Sequence, residues 1–191
     1  VPERLFEYNP HLKFIFLVRN PIDRAYSQYN MLINWRKSQL LHEYELFPDK
    51  EKLNILLKKL LDTQNFPFSY WVNLEIEKIR NQENTPIDFF PDFLHRGFYY
   101  EQLERYYQFF PVENILVIEH RELKNNRIST LRKIEQFLNI PYVDWNAINL
   151  DDKFVSQYNV KLPSDIRNKL KAFFKPYNEK FYKLIKRNFD W

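Results

Sequence analysis

Two short apolar runs interrupt a chain that otherwise follows a helical pattern. The first, Phe-Ile-Phe-Leu-Val at residues 14–18, ends in Arg19, and the second covers residues 115–118. Aromatic and β-branched residues in a run as short as the first favour a strand buried on both faces of a parallel sheet. The sequence therefore predicts a strand at each run.

Between and after these runs, apolar residues recur every three or four positions, which predicts helices. Prolines and an Asn-rich cluster divide the pattern into segments. The predicted helices cover about residues 21–38, 50–61, 70–80, 99–109 and 129–138, and two late helices follow Pro163 and Pro176. This order favours the α/β class, with a central parallel sheet flanked by helices.

The first strand turns directly into a helix that has the features of an anion site. Arg19 stands at the carboxyl end of the strand, where open α/β sheets bind their ligands. Asn20 and Pro21 suit the cap and first position of the helix. Ser27 lies two turns in, on the side of Asn20 and Arg24. A guanidinium and a hydroxyl beside a helix N-terminus suit a phosphate.

These residues resemble the 3′-phosphate-binding segment of sulfotransferases that use 3′-phosphoadenosine 5′-phosphosulfate (PAPS), and are most similar to the heparan-sulfate type and its bacterial relatives. Further segments resemble the same family in the same order: residues 96–103, 109–111 with 114–118, 122–123 with 137–140, and 174–180 with 189–191. The resemblance implies a P-loop-NTPase-like three-layer fold. It also implies that Arg19 and Ser27 hold the 3′-phosphate of the donor.

Other donor contacts follow from the resemblance with alternatives beside them. Arg96, Gly97 and Tyr99 are candidate contacts near the donor phosphate and the acceptor cleft. Gly97 is the only glycine, and it permits a turn with positive φ or a close backbone approach to a ligand, with a turn that serves no ligand as the alternative. Arg24 is either a second phosphate contact or part of a solvent-facing ion pair.

A late loop supplies two more candidates. The family places a basic loop with a Lys-Gly-Arg-like turn over the nucleotide, and residues 151–161 occupy the corresponding place in this chain. That turn is absent here, so the resemblance supports only Lys153 and Lys161 as nucleotide contacts.

One part of the family pattern is missing. Sulfotransferases of this kind begin with a strand and a Lys-x-Gly-Thr-Thr/Ser loop around the 5′-phosphosulfate, and such a loop needs glycine. We expect this loop, and the glutamate that commonly serves as catalytic base, upstream of Val1. Residues 1–191 are then one sulfotransferase domain without its N-terminal part. Within the chain the catalytic residue stays unknown, and His95 is a candidate for proton transfer, with a structural role as the alternative.

Charge and composition narrow the partners. The 29 basic and 25 acidic residues give a net charge of +4. Many cations stand near the end of the chain, on either a solvated helix face or a surface for a polyanion: Lys169, Lys171, Lys175, Lys180, Lys183, Lys186 and Arg187. No nucleic-acid motif accompanies them, so we expect no nucleic-acid partner.

Several classes of chemistry are excluded or disfavoured. The chain has no cysteine, which excludes disulfides and thiolate chemistry. His11, His42 and His120 lack metal-ligand spacing, so no metal is expected. No apolar run approaches the roughly 20 residues of a membrane span, and we expect a cytoplasmic protein if the source is bacterial.

The leading hypothesis is a sulfotransferase that moves a sulfuryl group from PAPS to a hydroxyl or amine of a glycan or small metabolite, and releases 3′-phosphoadenosine 5′-phosphate (PAP). The alternative is a catalytically inactive nucleotide- or glycan-binding domain of the same fold. A P-loop kinase is a third hypothesis. Some aromatic residues are candidates for an acceptor pocket, although most are expected in the core: Trp35, Tyr70, Trp71, Phe89, Phe90, Phe93 and Phe98. The oligomeric state stays open.

Overall fold

A computed structural model describes residues 1–37, 50–81, 92–150 and 161–191. Contacts divide the chain into two compact units. The first unit comprises Val1–Asn20, Tyr99–Val155 and Pro176–Trp191, and the second comprises Pro21–Phe98 and Ser156–Lys175.

The first unit contains the parallel strand pair. Strand β1 (Phe14–Val18) pairs with β2 (Ile115–Glu119), and Val18 lies opposite Glu119 at the carboxyl edge. The described helices of this unit include α1 (Pro2–Tyr8), α5 (Tyr99–Tyr107), α6 (His120–Asn125), α7 (Arg127–Leu138) and the second half of α8 (Ser164–Ile185). Helices beside parallel strands make the fold α/β, as the sequence predicted.

Aromatic side chains form the core against one face of β1. Phe14 meets Phe110 edge to face at 4.6 Å, and Phe16 meets Tyr106 at 4.9 Å. The buried members of this core are Val18, Leu103, Phe110, Ile115, Phe181 and Phe189. Ile15 and Leu17 point to the other face and are 41% and 52% exposed. The prediction that β1 is buried on both faces is therefore wrong for the described residues. Strand side chains alternate between two faces, and the described residues cover only one of them.

The second unit is helical. Its elements are α2 (Pro21–Lys37), α3 (Lys50–Leu61), α4 (Phe68–Arg80), a short 3₁₀ helix at His95–Gly97, and the first half of α8 (Ser164–Ile185). Among the described residues of this unit, the largest fully buried side chains are apolar except for one carboxylate: Leu60, Trp71, Val72, Glu75, Phe93, Leu94, Leu170 and Phe174. Trp71, Phe93 and Phe98 are thus core residues, as expected for most of the aromatic candidates.

The late helices differ from the prediction. A proline in a helix interior removes one backbone hydrogen bond and usually ends or kinks the helix. Here α8 continues through Pro176 as one helix of 22 residues. Buried side chains on both sides of the proline, Phe174 and Phe181, keep the helix together.

Two short helices were missed, and other bounds shifted by a few residues. α1 and α6 have seven and six residues, too few to show an apolar period. α4 begins at Phe68 and α7 at Arg127, each two residues before the predicted start. None of the helices in the described part of the chain is long and apolar enough to cross a membrane.

Candidate functional site

Arg19 follows β1 directly and is held through its backbone. The hydroxyl of Tyr99, at the start of α5, donates to the Arg19 carbonyl at 2.8 Å and lies 3.4 Å from the Arg19 amide, which donates to it. The guanidinium makes no hydrogen bond or ion pair with any residue that the structure describes. The fold therefore fixes the main chain of Arg19 at the carboxyl edge of the strands, where ligands of such sheets bind.

Tyr99 is itself fixed by aromatic packing. Its ring lies 5.6 Å from the ring of Phe181 and 5.8 Å from that of Trp191. Its hydroxyl is used on the Arg19 backbone, so the structure gives it a positioning role that the sequence did not predict. A direct contact of Tyr99 with a ligand stays a prediction.

The neighbouring edge position is occupied by Glu119, the last residue of β2. Its Oε1 accepts hydrogen bonds from the Trp191 indole at 2.7 Å and from Arg121 Nε at 3.0 Å. Trp191 in turn stacks on Phe189 at 4.8 Å. The buried Glu119 carboxylate is paired with Arg121, and its hydrogen bond from Trp191 joins residue 191 to the edge of the strands.

Ser27 and Arg24 lie on α2 in the second unit, whereas Arg19 belongs to the first. Ser27 is half-buried on this helix. One turn earlier, Arg24 donates from Nη1 to Gln28 Oε1 at 2.9 Å and from Nη2 to the carbonyl of Phe93. Both terminal nitrogens of Arg24 thus bind protein acceptors. Phosphate binding by Arg24 stays a prediction.

Gly97 closes the 3₁₀ helix and is buried against two other segments. A Cβ built on it would lie 2.9 Å from Pro21 Cβ and 2.9 Å from Phe174 Cε1. Its φ is not positive. Of the alternatives offered by the sequence, the positive-φ turn is wrong. The backbone of Gly97 is closely approached by the first residue of α2 and by a side chain of α8, and a close approach to a ligand stays a prediction.

His95 and Arg96 precede Gly97 and face solvent, with 47% and 63% of their side chains exposed. Asp92 lies near both, 3.8 Å from His95 Nδ1 and 3.4 Å from Arg96 Nε. The His95 ring also meets Phe98 edge to face at 5.4 Å. The separation of 3.8 Å is longer than a hydrogen bond, so this carboxylate does not orient the imidazole as it would in a general base.

Glu75 is a residue of this region that the sequence analysis missed. It is 2% exposed on α4, and its two carboxylate oxygens accept from the amides of Phe93 at 2.7 Å and Leu94 at 2.6 Å. Burial raises its pKa to about 7, although the two amides oppose the shift. The available signal was a charge on the apolar stripe of α4, four residues after Trp71.

The remaining predicted cations are less informative. Lys153 lies outside the described residues, and Lys161 is exposed. The basic residues of the last helix also face solvent, which is expected both for a solvated face and for a surface that binds a polyanion. A cavity of about 330 Å³ lies near the end of α8. Its lining residues are Glu179, Tyr182, Lys183, Lys186, Arg187 and Asn188. No cluster of His, Asp or Glu that could hold a metal occurs in the described ranges.

Comparison with known proteins places the chain. A family model described as a sulfotransferase domain matches residues 2–149. The chain is 25% identical over 237 residues to the membrane-associated sulfotransferase kil1 of Dictyostelium discoideum, covering 98% of this chain and 50% of that protein. It is 24% identical over 214 residues to human heparan sulfate glucosamine 3-O-sulfotransferase 5, covering 100% of this chain and 52% of that protein.

A solved structure supports the same fold. The crystal structure of a sulfotransferase from Alicyclobacillus acidocaldarius matches with a TM-score of 0.65 and 24% identity, over 98% of this chain and 60% of that one. The chain spans about half the length of the curated relatives it matches. Since the family model covers well over half of its residues, the chain belongs to the sulfotransferase family.

Proposed function

We propose that the protein transfers a sulfuryl group from PAPS to a hydroxyl or amine acceptor and releases PAP. The observation that carries this proposal is Arg19, whose backbone is held by Tyr99 at the carboxyl edge of two parallel strands. An arginine at this edge, in a chain whose residues 2–149 match the sulfotransferase domain, supports binding of an anionic donor.

The reaction sets the roles that residues must fill. The acceptor oxygen or nitrogen attacks sulfur, the bond from sulfur to the phosphate oxygen breaks, and the acceptor proton leaves to a base or to solvent. The protein must align the two reactants and stabilise negative charge on the departing phosphate. The chemistry as written uses no metal.

Arg19 and Ser27 are assigned to the donor, as ligands of its 3′-phosphate. A guanidinium gives two parallel hydrogen bonds to a phosphate, and a helix hydroxyl adds a third. Arg96 is assigned to the donor as a further, solvent-facing cation. No described residue is assigned as catalytic base, and for His95 that role stays a prediction.

The acceptor is proposed to be a glycan or a small metabolite. The names of two relatives support a sugar: one is a heparan sulfate glucosamine 3-O-sulfotransferase, and another is a bifunctional heparan sulfate N-deacetylase/N-sulfotransferase, 25% identical over 154 residues. The first name describes a hydroxyl acceptor and the second an amine.

Calorimetric titration with PAP tests the donor site. Arg19→Ala removes a charge-assisted pair and is expected to weaken PAP binding by about 2 kcal/mol, roughly thirtyfold in Kd. Ser27→Ala removes one hydroxyl and is expected to cost about 1 kcal/mol, roughly fivefold.

Two matched variants serve as controls. Arg105→Ala removes an exposed arginine of α5 that donates to the Glu101 carbonyl of its own helix, and Ser69→Ala removes a hydroxyl in α4. Both are expected to bind PAP as the wild type does. A folded wild type that does not bind PAP, or equal losses in the controls, would overturn the proposal.

A further inference from the structure

The backbone at Phe93 and Leu94 is held by charged groups from two helices. Both side chains are 0% exposed, so their peptide groups need partners inside the protein. Glu75 of α4 accepts the two amides, one on each carboxylate oxygen. Arg24 of α2 donates to the Phe93 carbonyl. The Phe93 residue is thus bound at both its donor and its acceptor.

The turn that begins here carries a strained residue. Asp92 has a φ of 56°, in the left-handed region that non-glycine residues rarely adopt. Such a conformation persists only where the surroundings over-determine it, and it is concentrated at functional sites. The bonds from Glu75 and Arg24 to the next residues supply that constraint.

The outer face of the same turn carries the exposed side chain of Arg96. Hydrogen bonds from the Gly97 amide to the Leu94 carbonyl at 2.8 Å and from the Phe98 amide to the His95 carbonyl at 2.9 Å continue the constrained backbone. Packing of Gly97 against Pro21 and Phe174 fixes the end of this turn that lies later in the chain. Arg96 therefore projects from a backbone that cannot shift freely.

We propose that Glu75 is a positioning residue for the donor, acting through the turn at Phe93 and Leu94 to hold Arg96 against an anionic group of PAPS. This inference rests on the proposed function. Glu75 touches no substrate. Its carboxylate holds the backbone at Phe93 and Leu94, and the Arg96 guanidinium contacts the donor.

Glu75→Gln is the direct test, measured as the Kd for PAP by calorimetry. An amide is nearly isosteric with the carboxylate but accepts through one atom only, so it turns an NH₂ group towards one of the two backbone amides. We expect about a tenfold weaker Kd for PAP. Glu75→Asp keeps two acceptor atoms and is expected to retain more affinity than Glu75→Gln, whereas a pure packing role would give the opposite order.

A double-mutant cycle separates positioning from general loss of stability. If Glu75 acts through Arg96, the Glu75→Gln/Arg96→Ala variant binds PAP as weakly as Arg96→Ala alone. Additive losses would contradict the inference. Two glutamates provide controls: Glu77→Gln is exposed on the same helix, and Glu135→Gln alters another buried carboxylate, which accepts from the Val143 amide at 2.9 Å. Both controls are expected to keep the wild-type Kd.

The outcomes separate this inference from the function beneath it. Absence of PAP binding by the folded wild type overturns the proposed function and this inference with it. Binding by the wild type that Glu75→Gln retains overturns this inference alone. A variant that loses affinity while its circular dichroism spectrum stays native, with coupling to Arg96, supports it.

Discussion

At the scale of single residues, Glu75 is an ionisable group placed in an apolar core. Desolvation disfavours the charged form, which is why burial raises its pKa to about 7 despite two amide donors. Asp92 adds a like charge that raises the pKa further, and Arg24 lowers it. The group therefore changes charge near neutral pH.

This shift makes stability depend on pH with a defined sign. A carboxyl with a pKa near 4.3 in the unfolded chain and about 7 in the fold binds more protons in the fold between these values. The contribution of Glu75 to the free energy of unfolding is fully present below the unfolded-state pKa, and it is lost as pH rises through the folded-state pKa. We expect the free energy of unfolding to fall by about 1–3 kcal/mol from this group between pH 5 and pH 8.

Denaturant titrations of wild type and Glu75→Gln at the two pH values check this expectation. The free energy of unfolding of Glu75→Gln is expected to lack the part of the pH dependence that comes from Glu75. Glu135→Gln is the control. Burial acts to raise the Glu135 pKa, but hydrogen bonds from Arg132, the Val143 amide and Trp145 outweigh it and lower the pKa. Glu135 thus stays ionised in this range, and its variant keeps the wild-type slope. Equal slopes in wild type and Glu75→Gln would contradict the assignment.

At this scale the sequence indicated which charged residues end a strand or a helix, but not which side chains or backbone groups those residues bind. Arg19 was visible because a charge ended an apolar run. The bond from Tyr99 to its carbonyl joins residues 80 positions apart, and no local pattern contains it. Glu75 accepts from amides 18 and 19 residues away. Side chain to backbone bonds of this kind depend on tertiary packing, which a single sequence does not encode locally.

At the scale of elements, the parallel strands and the central helices were predicted from periodicity. The short apolar runs gave β1 and most of β2, and the helical spacing gave α3 with both bounds correct. The error at α8 came from a local rule: a proline argues for a break, while burial of Phe174 and Phe181 favours continuity. Packing outweighed the local preference.

Pro176 therefore leaves a measurable cost in α8. Replacing it with alanine restores an amide at a helical interior position, where proline is about 3 kcal/mol less favourable than alanine. We expect Pro176→Ala to raise the free energy of unfolding by about 1–3 kcal/mol in a denaturant titration. Pro163→Ala, just before the helix begins at Ser164, is the control and is expected to change stability little. A destabilised Pro176→Ala variant would show that the proline fits its site without cost.

At the scale of the whole molecule, the residues proposed for the donor, Arg19, Ser27 and Arg96, come from separate parts of the sequence. We propose that residues 1–191 behave as a single sulfotransferase domain. Ligand binding then stabilises the chain as a whole, since a ligand that binds only the folded state adds to its free energy of unfolding.

A thermal shift measurement tests this. PAP at a hundred times its Kd is expected to add about 2.7 kcal/mol, which corresponds to a rise of roughly 5–10 °C in Tm for a domain of this size. Adenosine 5′-monophosphate, which lacks the 3′-phosphate, is expected to give a smaller rise. Arg19→Ala is expected to lose most of the effect of PAP. Equal shifts with both nucleotides would mean that the 3′-phosphate is not recognised.

The packing of Gly97 affects how tolerance to mutation at this position is interpreted. Every substitution adds at least a Cβ, and that atom has no room between Pro21 and Phe174. A deep mutational scan scored by catalysis would therefore find Gly97 intolerant to change, as it would a reacting group. The cause would be loss of folded protein, so abundance and turnover must be scored separately before the position is assigned to the chemistry.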